Sequence, residues 1–86
     1  MANTVAGLRS VPLTSSQRSL LVQCRKALGL SQRELAEKLG VYKLSIYNIE
    51  SGTCRPTPVL LNQLCRVLGL EFDLDLRVEL RRKSSR

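Results

Sequence analysis

A fixed spacing in the middle of the chain narrows its possible folds more than any other feature. After Ser31 the residues fall as Gln32-x3-Ala36-x3-Gly40-x5-Ile46-x2-Ile49, ending at Gly52. Two short helices that cross near a right angle through a tight turn need these residue types at these places. Ala36, midway along the first helix, must be small because the second helix presses against it. Gly40 stands in the turn, where a positive φ is open to glycine and resisted by residues with a side chain. Ile46 and Ile49 share one helical face and lock the second helix down. Local signals agree: Ser31 with Glu34 spells a capping box, Leu35, Ala36 and Leu39 face inward, and Gly40 and Gly52 close the two helices. The second runs from about Tyr42 to Ser51, with Leu44 as an exposed apolar residue.

Helices are also expected on either side. Thr14, Ser15 and Ser16 offer N-cap oxygens, and Leu20, Leu21, Cys24 and Leu28 follow at helical spacing up to Gly29, which predicts a helix over about 16–28. Thr57 and Pro58 pair an N-cap with proline at the first helical position. Leu60, Leu61, Leu64, Cys65 and Leu68 then predict a helix over about 58–68, stopped by Gly69. Residues 1–13 show no period and read as an arm, and 53–56 as a loop.

The period changes at Glu71. From there to Leu80 polar and apolar residues alternate for ten positions, the mark of a half-buried strand. Its apolar face is Phe72, Leu74, Leu76, Val78 and Leu80. A lone strand leaves backbone groups without partners, and a hairpin made with the arm near residues 8–13 is marginal. Pairing the strand with its copy in a second subunit satisfies both demands, so a two-fold dimer with a small intermolecular sheet is expected. The tail 81–86, with four positive charges and two serines, is expected to be disordered.

Composition removes whole classes of function. Eighty-six residues allow one small domain with a modest core. Fourteen Lys and Arg against seven Asp and Glu give +7, which suits a polyanionic partner. With no His, the usual general base and the commonest zinc ligand are both absent. Asp73, Asp75 and Glu79 alternate on the strand's polar face with no nucleophile–base pair near them, so no enzyme is expected. Tyr42, Tyr47 and Phe72 are the only aromatic residues, too few for a platform that stacks single-stranded bases. Cys24, Cys54 and Cys65 are odd in number and lack CxxC spacing, which favours reduced thiols in a cytoplasmic protein. No apolar run exceeds three residues, so no membrane span is expected. Neither a metal nor a cofactor is implied.

The runs LSQRELAEKLGV and SIYNIESG, with the helix that follows, resemble the Xre/Cro-type helix-turn-helix domains of phage repressors and bacterial regulators over about residues 18–70. The resemblance implies an all-α, lambda-repressor-like domain of four to five helices over 14–70, here followed by the dimerisation strand 71–80. It implies a homodimer that binds double-stranded DNA at a near-palindromic operator. Lys43, Leu44, Tyr47 and Asn48 match the base-contacting slots and Ser45 a mixed one; Gln32, Arg33, Tyr42, Thr53 and Arg55 match phosphate-contacting positions. Asn48 is suited to adenine, Lys43 to guanine and Leu44 to a thymine methyl. Arg25 and Glu50 match a partly buried ion pair of the family that links the first helix to the end of the third. LGLEFDLDL, straight after the fourth helix, is similar to the HipB-like antitoxins. That implies an autoregulating antitoxin whose partner is a HipA-like serine/threonine kinase toxin.

Blander readings stand beside these. Tyr42 and Tyr47 suit the edge of a small core as well as DNA, and Leu44 suits a protein interface. Arg9, Arg18, Lys26, Arg33 and Lys38 suit plain solvated charge. A stand-alone Xre-type or phage-derived regulator needs no toxin, and a protein–protein adaptor needs no DNA. Tyr42 also departs from the family, standing where Ser or Thr often caps the third helix.

Overall fold

The structure, a computed structural model, describes residues 9–73 and 79–82. The chain divides into two compact units. One is Leu13–Arg55; the other takes its described residues from 9–12, 56–73 and 79–82.

The first unit holds α1 (Ser15–Ala27), α2 (Gln32–Leu39) and α3 (Lys43–Ser51). Each boundary has a local cause. Thr14 accepts from the Gln17 N–H while the Gln17 side chain accepts from the Thr14 N–H, a capping box that starts α1. Ser31 and Glu34 repeat the device at α2, at 3.0 and 2.8 Å. Gly40 ends α2 at φ 69°, and the Val41 N–H returns to the Ala36 carbonyl at 3.0 Å. A residue with a Cβ is strained there. α3 begins at Tyr42, which has the backbone of an N-cap and no side-chain hydrogen bond to the helix. α3 packs against α2 and α1, and Leu21, Cys24, Leu35, Ala36, Ile46 and Ile49 are buried. Ala36 is among them, as close helix crossing requires. Leu28 is different from expectation: it is the C-cap of α1 and more than half exposed. Its N–H turns back to the carbonyls of Cys24 and Arg25, so the helical stripe ends one turn before it.

The second unit holds α4 (Pro58–Leu68), β1 (Leu70–Asp73) and β2 (Glu79–Arg82). Thr57 caps α4 by accepting from the Leu60 N–H, and Pro58 sits in the first turn. Leu61, Leu64, Cys65 and Leu68 are buried on α4, as is Leu70 on β1. Val11, within the stretch read as an arm, is fully buried, and its N–H donates to the Pro56 carbonyl at 2.8 Å.

The single strand expected over 71–80 is corrected. The described residues form two antiparallel strands, with Leu70 opposite Arg82, Glu71 opposite Arg81, Phe72 opposite Leu80 and Asp73 opposite Glu79. The alternating pattern is the same whether the segment runs straight or doubles back. Doubling back pairs backbone groups within one chain. Phe72 and Leu80 thus stand in opposing strands, while Leu74, Leu76 and Val78 lie outside the described residues.

Candidate nucleic-acid interface

The residues assigned to bases lie on α3, with Tyr42, Thr53 and Arg55 in the loops that bound it and Gln32 and Arg33 in the first turn of α2. Successive helical residues turn by about 100°, so the side of α3 facing away from Ile46 and Ile49 can be worked out. Its centre is Leu44 and Ser51, with Tyr47 and Asn48 about 50° to either side. Lys43 and Ser45 stand at its borders. Exposure follows this division: Leu44 is 63% exposed and Tyr47 52%, against 1% for Ile46 and 4% for Ile49. Tyr42, just before the helix, is 84% exposed, so neither tyrosine covers the core in full. Asn48 and Ser45 are half-buried and Lys43 is exposed.

The end of α3 is held by three backbone N–H groups and one hydroxyl, that of Ser51, all donating to one carbonyl. The Asn48 carbonyl accepts from the N–H groups of Gly52, Thr53 and Cys54, with Gly52 at φ 85°. The Ser51 hydroxyl lies 2.9 Å from that of Thr53. Thr53 and Arg55 are exposed in the loop that follows.

Arg25 and Glu50 form a forked ion pair, Nε to Oε2 at 2.8 Å and Nη2 to Oε1 at 3.1 Å. Both side chains are more than nine-tenths buried. Arg25 Nη1 also donates to the Leu30 carbonyl at 2.9 Å. The pair therefore ties α1, the loop before α2 and the last turn of α3 together. Sequence reasoning missed its third member: Gln32 Nε2 donates to Glu50 Oε1 at 2.9 Å. The side chain assigned to a phosphate is thus engaged with α3, and because Ser31 caps the Glu34 N–H, the Gln32 and Arg33 N–H groups are what the first α2 turn offers an anion. Nothing in the local sequence announces a contact across 18 positions.

Arg18, for which plain solvated charge is one reading of the sequence, is also held in place. Its Nη1 donates to the Leu13 carbonyl at 2.9 Å. Its guanidinium lies over Gly52, where an added Cβ would stand 2.9 Å from the Arg18 Cζ. Arg33 by contrast is exposed, with only a long 3.8 Å contact to Glu37. Glu34, in the first turn of α2, has its carboxyl pKa lowered by the Ser31 backbone N–H above all, then by the Ser31 side chain, with Lys38 adding a smaller pull. Cys24 and Cys65 are buried and Cys54 is exposed, all as thiols. Among the described residues no helix is long and apolar enough to cross a membrane.

The helix-turn-helix family model matches residues 21–74. A protein of Methanothermobacter thermautotrophicus, named as an uncharacterized HTH-type transcriptional regulator, is 41% identical over 59 residues. That match covers 69% of this chain and 86% of the relative. The chain belongs to the helix-turn-helix family.

Proposed function

We propose that this protein is a sequence-specific, DNA-binding transcriptional repressor that works as a homodimer in the cytoplasm and carries no catalytic activity. The observation that carries the reading is the outward side of α3: Leu44 and Tyr47 exposed, Lys43 and Asn48 beside them, and Ile46 and Ile49 buried behind. A helix held this way fits the major groove, where base edges carry a donor, acceptor and methyl code. In this reading Lys43, Leu44, Ser45, Tyr47 and Asn48 meet bases. Arg33, Tyr42, Thr53, Arg55 and the first turn of α2 meet phosphates. The net charge of +7 supplies attraction over a longer range. Two copies of α3 in successive major grooves call for half-sites about 34 Å apart, and the bound dimer blocks the promoter by occupying it.

Selection of bound duplexes from a random pool tests this reading. It should return a near-palindrome, and Asn48→Ala should relax specificity at one base pair by about 1–3 kcal/mol. Recovery of no preferred sequence would defeat the proposal.

Two finer readings part at the C-terminal segment. As a HipB-like antitoxin, the chain represses its own operon and binds a HipA-like serine/threonine kinase. The alternating pattern of 71–80 supports this, and the two-stranded sheet has edges to which a second copy can add. A stand-alone Xre-type regulator is favoured by the way the segment doubles back instead of running as one strand. Co-purification with a kinase encoded next to it decides for the first; isolation as a homodimer alone decides for the second.

A further inference from the structure

From the outward side of α3, we infer that this helix reads its site chiefly through the 5-methyl groups of thymine, with Leu44 and Tyr47 as the contacting pair. The inference rests on the DNA-reading role proposed for α3. The side chains that read guanine and adenine by paired hydrogen bonds are Arg, Lys, Asn and Gln. On α3 these number two: Lys43 at the border of the outward face, and Asn48, half-buried. Ser51 shares the centre of that face, but its hydroxyl is held within the turn by Thr53 and the Asn48 carbonyl.

What remains at the centre is Leu44, an aliphatic side chain 63% exposed, with the half-exposed Tyr47 ring three residues on along the same ridge. Isolated exposed apolar residues are ordinary. Two neighbours, both aimed where a +7 chain would present its helix to a polyanion, call for an apolar group on the partner. In the major groove that group is the thymine methyl.

The test uses the full chain and a duplex recovered by selection. Each thymine of the half-sites is replaced by deoxyuridine, which removes the methyl and leaves the hydrogen-bonding edge intact. Affinity should fall about fourfold for each methyl contacted. Leu44→Ala should lose the difference at the thymine that Leu44 contacts and keep it at the one that Tyr47 contacts, while Leu44→Met should keep much of both. Leu44 is exposed, so neither variant disturbs the core. Equal wild-type affinity for both duplexes, with continued discrimination against a scrambled one, overturns the methyl inference and leaves the DNA-reading role standing. Failure to bind any duplex defeats both. If Leu44→Ala keeps the thymine–uracil difference at every thymine, or instead changes the sedimentation mass, Leu44 is not a methyl reader.

Discussion

Glu50 accepts from the Arg25 fork on one side and from Gln32 on the other, so a single carboxylate joins residues of all three helices in the first unit. Charges this buried survive only when paired and hydrogen-bonded. Glu50→Gln or Arg25→Met alone should therefore cost about 3–5 kcal/mol of stability in denaturant titration, since the remaining charge keeps its burial and loses its partner. The double variant Arg25→Met with Glu50→Leu should cost less than the sum of the two singles. Strict additivity would show that the pair is not coupled. Glu34 permits a prediction in pH. Its folded pKa lies below the unfolded value, so its stabilising effect is complete above the unfolded pKa and is lost as pH falls through the folded one. The Tm advantage of the wild type over Glu34→Gln should be present at neutral pH and disappear on the acid side. A constant gap across that range would contradict the assignment.

At the level of elements, α3 is short and begins without a side-chain cap. Its stability comes from Ile46 and Ile49 on the inner side and from the turn at Gly52. Tyr42→Ser supplies the missing acceptor and should raise stability by about 1 kcal/mol. If Tyr42 meets a phosphate, the same variant should bind duplex DNA more weakly, so the two readouts move in opposite directions. The element boundaries were legible in the sequence because capping residues, proline at the first position and closing glycines act within one turn. The spacing of Ala36, Gly40, Ile46 and Ile49 was legible for the same reason, as short-range sterics leave few substitutes. Contacts that join distant residues were not: Gln32 to Glu50 and Arg18 over Gly52 depend on how the helices meet. Leu28 kept the helical period and lost its burial because the chain turns there. The hairpin was hidden because alternation has the same period in a straight strand and a doubled one.

For the whole molecule, charge and sheet edges set the terms of association. Five Lys and Arg precede the first acidic residue, Glu34, and the chain as a whole carries +7. Binding driven by phosphate contacts should weaken steeply with added salt, log K falling linearly with log salt concentration. A slope near zero would be inconsistent with it. The two-stranded sheet keeps edges to which a second copy can add, so sedimentation of the full chain should give the mass of a dimer. The measurement that most directly tests the role given to α3 is a titration of isotope-labelled protein with the selected duplex, followed by backbone amide shifts. The largest changes should fall at Lys43–Ser51 and at the first turn of α2, with Ile46 and Ile49 moving least within α3. Changes confined to α4 and the hairpin, or no change on adding duplex, would contradict it.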